Sequence, residues 1–277
     1  MHRIGIFQGR LVDDENGEIQ SFPKSNWKAE LEIAKSNHFN LIEWVIDNYY
    51  KKNPILSGEG ISLIERCIDR LDNQILIHSV CCDFLMNYPL LIDTKSNQKM
   101  LDIINYLIDV SSERLHIQYI ELPLIKASRL SVNNYEAFSN FILCIDNKLK
   151  LKNIGIAIEV DLKPIQVYDL CENYLKGTNC FINYDVGNSA YWGYNMIEEL
   201  ELYGKYIKTI HIKDCTPELY SVDLGEGNVD FKSFFKKLKE IKFKGDFILQ
   251  TARGKDHIDT AIKHRKFVNS YIRKYLI

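Results

Sequence analysis

The sequence predicts a (β/α)8 barrel, and three observations carry that expectation. Eight short apolar, β-branched runs recur along the 277 residues, and segments with helical spacing separate them. The distance from run to run suits a strand, a helix and two loops, which together need about 30 residues. The first run leads into QGRLVDDENG rather than the G-x-G-x-x-G turn of a dinucleotide-binding sheet, so an open doubly wound sheet is the weaker alternative. No low-complexity stretch or long linker interrupts the chain, and residues 1–277 read as one barrel domain.

The runs, in order, are Ile4–Phe7 (IGIF), Leu41–Val45 (LIEWV), Ile75–Ser79 (ILIHS), Ile117–Leu122 (IQYIEL), Ile154–Val160 (IGIAIEV), Phe181–Asp185 (FINYD), Ile207–Ile212 (IKTIHI) and Phe247–Gln250 (FILQ). Between them, Trp27, Leu31 and Ala34 fall on one helical face after Ser25. Met100, Ile103, Ile104, Leu107 and Ile108 do the same after Thr94. Asp230 reads as an N-cap for a helix carrying Phe231, Phe234, Phe235, Leu238 and Ile241, with Gly245 closing it.

Composition narrows the class of partner. A formal charge of −2 gives no general attraction to nucleic acid or to an anionic membrane. No apolar run approaches the roughly 18 residues of a membrane helix, and Met1-His2-Arg3 enters the first strand without a signal-peptide pattern. The seven cysteines are irregularly spaced and form no C-x-x-C pair, which suits reduced thiols and a cytoplasmic location.

Active sites of such barrels lie at the C-terminal ends of the strands. In IGIAIEV the isoleucines share one face, while Gly155, Ala157 and Glu159 share the other and point to a crowded axis that opens on a carboxylate. By the same parity, TIHIKD turns His211 and Lys213 inward and upward. The eight strands then end in Gln8, Glu43, His78, Glu121, Glu159, Asp185, His211 and Gln250, which makes a polar rim. Glu159, Asp185 and His211 with the Gln250 amide suit one divalent metal ion, Mn²⁺, Co²⁺, Mg²⁺ or Zn²⁺. Without thiolates, a purely structural zinc site is not expected.

The chain also resembles the sugar isomerase/epimerase superfamily of xylose-isomerase-like TIM barrels, in particular L-ribulose-5-phosphate 3-epimerases and hexulose-6-phosphate isomerases. The matching pieces are IGIFQGRLV, W-x-x-E-x-x-x-A with LIEWVID, IHSVCCDFLM, IEVDL, NYDVGN, IHIKD, LGEGNVDF and FILQTAR, in that order. The resemblance implies a metal-dependent enzyme in which Glu159, Asp185, His211 and Gln250 hold the ion. It also implies proton transfer through a metal-stabilised cis-enediolate of a sugar or sugar phosphate. Familiar epimerases of the family carry glutamate where this chain has Gln250, and use it with the strand-five glutamate as a pair of bases. The amide leaves Glu159 as the one base, which favours an aldose–ketose shift on a single face over 3-epimerisation.

Further rim residues are candidates for substrate contact. His78, Asn188 and Trp192 are expected against sugar hydroxyls or a ring face, and Lys213, Arg253 and Arg10 against a phosphate or carbonyl. The alternative for each cation is an ion pair, with Asp214 the neighbour available to Lys213. Glu43 and Glu121 read as pinning groups, Trp27 as core, and Trp44 as a weaker platform than Trp192. In LGEGNVDF, Glu226 between Gly225 and Gly227 argues for a structural turn over a phosphate nest. AP endonucleases share the barrel, but their D-x-x-H and H-x-H are replaced here by Asp185 with Asn188 and His211 with Lys213, so nucleic acid is not an expected partner. A polyol or sugar dehydratase, or a barrel that binds sugar without turning it over, uses the same residues and stays open. So does assembly as a homo-oligomer.

Overall fold

The computed structural model describes residues 2–14, 17, 20–91 and 94–277, so Met1 and two residues of the QGRLVDDENG segment (Glu15 and Asn16) lie outside it. Eight parallel strands close into a barrel in sequence order. They are β1 (Ile4–Phe7), β2 (Leu41–Val45), β3 (Leu76–Cys81), β4 (Tyr119–Leu124), β5 (Gly155–Val160), β6 (Cys180–Asp185), β7 (Ile207–Ile212) and β8 (Asp246–Leu249). Helices follow the strands and bury their apolar faces against the outside of the barrel, as Phe234, Phe235 and Leu238 of helix Phe231–Glu240 do. This is a (β/α)8 TIM barrel.

The interior is as crowded as the small residues of β5 imply. A Cβ added at Gly155 would stand 2.8 Å from the Tyr119 ring and 3.2 Å from that of Phe181. Only a residue without a side chain fits that level of the axis.

Strands β5, β6 and β8 differ from the sequence reading by one residue at one or both ends, and β3 and β4 differ by more. The register between β2 and β3 shifts at Ile42/Glu43, so Ile42 pairs with Ile77 and Glu43 with Ser79. His78 is the extra residue, and β3 continues to Cys81. Likewise β4 runs on to Leu124, because Pro123 keeps its place in the ladder opposite Glu159.

Helix ends also differ. Helix Phe231–Glu240 is capped as expected, with the Asp230 carboxylate accepting from the Ser233 N–H at 3.0 Å. It closes at Lys242 and not at Gly245. Lys242 is left-handed (φ 55°), its N–H donates to the Lys239 carbonyl, and the Phe243 N–H donates to the Leu238 carbonyl. That is the two-bond helix stop usually made with glycine. The same pair of bonds ends helix Trp27–Ser36, with His38 at φ 59°. Lys242→Gly is therefore expected to stabilise the protein by about 1 kcal/mol, since a left-handed L-residue carries roughly that strain. A shift in urea midpoint at constant slope would show it, and an unchanged or lower midpoint would contradict it.

All seven cysteines are free, and no helix among the described residues is long and apolar enough to cross a membrane.

Candidate functional site

The C-terminal ends of the strands surround a cleft of about 480 Å³. Glu159 (β5), on its wall, meets Asp185 (β6) and His211 (β7), each offering one ligand atom within 4.8 Å of the others. All three are buried.

The imidazole is oriented from below. His211 Nε2 lies 2.7 Å from Glu43 Oε1, and Ser79 Oγ donates to Glu43 Oε2 at 2.5 Å. Asn183 Nδ2 stands 3.1 Å from the same ring nitrogen. With Nε2–H given to Glu43, Nδ1 faces upward, 3.4 Å from Glu159 Oε2 and without a hydrogen-bond partner. Burial opposes a charged imidazole, but the adjacent Glu43 carboxylate, with Glu159 and Glu121, holds the His211 pKa well above its ordinary value. Burial presses on Glu43 as well, yet the His211 charge and hydrogen bond win and keep its carboxyl below the usual range. Glu121 has no such partner. It is 1% exposed, neither oxygen accepts a hydrogen bond, and burial drives its pKa well up.

Asp185 is fixed from the other side. Its Oδ1 accepts from the Asn188 N–H at 2.8 Å, capping the short helix Val186–Tyr191. Its Oδ2 makes no hydrogen bond but lies 3.0 Å from Lys213 Nζ. Lys213 is thus an ion-pair partner of Asp185, not of Asp214. Its ammonium also donates to Asn188 Oδ1 at 2.6 Å and sits 3.9 Å from the centre of the Tyr220 ring. Asn188 ties these groups together, because its Nδ2 donates to Glu159 Oε1 at 2.6 Å and its Oδ1 accepts from Tyr220 OH at 2.5 Å. Asp214 turns away from the cleft and takes the Cys215, Gly225, Gly227 and Val229 N–H groups at 2.8–3.1 Å. The glycine-rich turn therefore encloses a carboxylate of the chain itself.

Asp185 Oδ2 and His211 Nδ1 are both buried without a hydrogen bond, and their residues each offer a ligand atom within 4.8 Å of Glu159 and of each other. Two carboxylates and an imidazole are a donor set that fits a divalent cation, which would take the place of the proton on His211 Nδ1. Gln250 lies on the same rim, where its Nε2 donates to Gln20 Oε1 at 3.1 Å. Gln20 Nε2 in turn donates to Asp83 Oδ1 at 2.6 Å. Gln20, Asp83 and Gln250 all line the cleft, as do Glu121, Trp192 and Tyr220.

Other expected contacts are elsewhere. The register shift leaves His78 short of the mouth, 3.6 Å from Asp246 at the start of β8, with its ring edge-on to Tyr119. It belongs to the barrel floor, and burial lowers its pKa. Trp44 is fully buried, packs edge-to-face on Trp27, and donates Nε1–H to Asn53. Both tryptophans are core. Arg253 Nη1 donates to the Val12 carbonyl at 2.8 Å and Arg10 Nε to the Thr251 carbonyl at 2.9 Å, so the two guanidiniums cross-link the loops after β1 and β8. Between them Glu30 accepts from the Gly9 and Leu11 N–H groups, and burial raises its pKa to about 7.

Asp83, Gln20 and Tyr220 were not singled out by the sequence. Asp83 lies two residues past the true end of β3, in the CCD of IHSVCCDFLM, and setting that strand end correctly would have exposed it.

Residues 31–270 match the family model for the xylose isomerase-like TIM barrel, and the chain belongs to that family. A putative L-ribulose-5-phosphate 3-epimerase of Haemophilus influenzae is 26% identical over 296 residues, covering 99% of this chain and 97% of that protein. A D-allulose 3-epimerase from Methylomonas sp., solved in complex with D-allulose, superposes with a TM-score of 0.75 at 16% identity, covering 98% and 97% of the two chains. A xylose isomerase-like TIM barrel protein from Mycobacterium smegmatis in complex with magnesium gives 0.73 at 14% identity, covering 99% and 97%.

Proposed function

We propose that this protein is a metal-dependent sugar isomerase or epimerase that moves a proton at a carbon next to a carbonyl. The observation that carries the reading is that buried Glu159, Asp185 and His211 each offer one ligand atom within 4.8 Å of the others, with Glu159 on the cleft wall. Glu159, Asp185 and His211 would hold one divalent ion, with Gln250 closing the fourth side. When bound, the ion supplies positive charge beside the oxygens on which negative charge develops.

The chain's own groups do the rest. Glu159, on the cleft wall, is the base; Asn188 holds its Oε1, and Oε2 lies 3.4 Å from His211 Nδ1. Glu43 fixes the His211 ring, and Lys213 balances the Asp185 carboxylate. Trp192 and Tyr220 wall the substrate and shield the reacting carbon from water. The substrate is a small open-chain ketose or aldose, free or phosphorylated.

Hydrogen exchange tests this directly. Protein loaded with Mg²⁺ is incubated in D₂O with free and phosphorylated ketopentoses and ketohexoses, and the C–H beside the carbonyl is followed by NMR. At least one ketose is expected to exchange, and Glu159→Gln should slow that exchange by about 10³-fold, within the usual range for a general base. Absence of exchange with every ketose in the metal-loaded wild type would overturn the reading.

A further inference from the structure

Backbone N–H groups at the C-terminal end of a TIM barrel are a ready cradle for phosphate. They serve most often in the loops after the seventh and eighth strands and at nearby helix N-termini. In this chain those cradles are filled from within. The glycine-rich turn after β7 gives the Cys215, Gly225, Gly227 and Val229 N–H groups to the Asp214 carboxylate. Helix Phe231–Glu240, which follows that turn, gives its Ser233 N–H to Asp230. Helix His257–Tyr275, after β8, gives its Asp259 N–H to Asp256 at 3.0 Å and carries the Asp259 carboxylate in its first turn. At the end of β6 the Asn188 N–H goes to Asp185. Carboxylates of the chain itself thus stand where a phosphate would find N–H donors and the positive end of a helix.

The nearby cations are committed as well. Lys213 is 3% exposed, lies under the Tyr220 ring, and faces Asp185 and Asn188. Arg10 and Arg253 donate to the Thr251 and Val12 carbonyls. Arg129 is paired at 3.0 Å with Asp161, which lines the cleft. Among the described residues of the cleft wall, Lys126 is the one cation, against the carboxyl groups of Asp83, Glu121, Glu159 and Asp161.

From this arrangement we propose that the substrate is an uncharged sugar, a free ketose or aldose, and that the site rejects the phosphate ester of the same sugar. The inference rests on the Proposed function, whose substrate it narrows from two classes to one.

The remaining wall suits a neutral polyol. Gln250 Nε2 donates to Gln20 Oε1, and Gln20 Nε2 donates to Asp83 Oδ1. Two amides and a carboxyl therefore form a linked polar strip, with donors and acceptors left over for hydroxyls. Tyr191, Trp192 and Tyr220 add aromatic faces, and Met86, Pro123 and Ile125 add apolar surface. Such groups pack against the C–H faces of a sugar but cannot pair a dianion that loses water beside them.

The carboxyls discriminate in the same sense. A hydroxyl both donates and accepts, so it can meet a carboxyl in either protonation state. A phosphate dianion only accepts, and an ionised carboxylate repels it. A divalent ion at Glu159, Asp185 and His211 leaves this balance in place, because the two carboxylates that would hold it already match its charge.

The test uses the full chain loaded with Mg²⁺ and pairs of ligands that differ only in the phosphate. These are ketopentoses and ketohexoses, free and as terminal phosphate esters, and the corresponding alditols in both forms. The alditols have no carbonyl and report binding without turnover. Exchange with D₂O of the C–H beside the carbonyl should favour the free ketose by at least about 30-fold in kcat/KM. Calorimetric titration should favour the free alditol by a similar factor, since like charges brought together in a binding site cost that much or more. Equal use of the two forms, or preference for the phosphate ester in either measurement, would overturn the proposal. Selective binding of free alditols by a wild type that exchanges no ketose would uphold the preference for a neutral sugar and remove the Proposed function. Binding of no alditol together with exchange of no ketose would remove both.

Discussion

Asp214→Ala is expected to destabilise the protein by about 4 kcal/mol, more than any other single substitution in the loops of the site. Asp214 is fully buried, and its two oxygens accept four backbone N–H groups, from Cys215, Gly225, Gly227 and Val229. Each buried N–H left without a partner costs roughly 1–3 kcal/mol, with some relief where water enters. The turn is built around the carboxylate and has no other solution. Gly225 has a φ of 92°, and a Cβ at Gly227 would run into the Asp214 carboxylate and the Cys215 carbonyl. The same loop carries Tyr220 over Lys213, so loosening it disturbs the cleft wall as well. Asp214→Asn should be nearly as harmful, because Oδ2 takes both glycine N–H groups and the amide nitrogen cannot. Urea unfolding of the metal-free protein reads the loss, and a change under 1 kcal/mol for the alanine variant would show that the turn holds without its anion.

The barrel was legible because its strands are buried on both faces and so appear as apolar β-branched runs. The convergence of Glu159, Asp185 and His211 was legible because side chains alternate along a strand and three consecutive strands placed a ligand type at the same height. Where the sequence misled, a local irregularity was the cause. With the shift at Ile42/Glu43, β3 ends at Cys81 and not at Ser79, which leaves His78 at the floor and brings Asp83 to the rim. Lys242 and His38 took left-handed positions with no glycine to mark them. Lys213 found Asp185, one strand away, and not its neighbour Asp214, because that carboxylate was already committed to four N–H groups. Gln20 had no periodicity to place it. Its role depends on a loop crossing the mouth of the barrel, which no short stretch of sequence encodes.

Asp185 carries the second large effect, and its two functions can be separated. As a proposed ligand it should not be replaceable by an amide, so Asp185→Asn is expected to weaken Mn²⁺ binding by at least about 100-fold, since even groups one step removed from a metal cost 10- to 100-fold. The asparagine oxygen still caps helix Val186–Tyr191 through the Asn188 N–H, so the fold should persist, but the amide nitrogen then faces Lys213 and leaves its charge unpaired, which costs stability. Asp185→Ala removes the cap as well, worth about 1 kcal/mol, and likewise strands the buried ammonium of Lys213. Breaking a buried pair from one side costs roughly 3–5 kcal/mol. Lys213 keeps Asn188 Oδ1 and the Tyr220 ring, which places the expected loss at the lower end of that range. Adding Lys213→Met to Asp185→Ala removes the stranded charge, and should restore most of the stability but none of the metal binding. Calorimetric Mn²⁺ titration and urea unfolding of the three variants decide the matter. If Asp185→Asn binds Mn²⁺ within about threefold of wild type, Asp185 serves only Lys213 and the helix cap, and the ion is held elsewhere. The neighbouring group of Glu43, Glu121 and His211, whose ligand atoms also lie within 4.8 Å of one another, would then be the place to look.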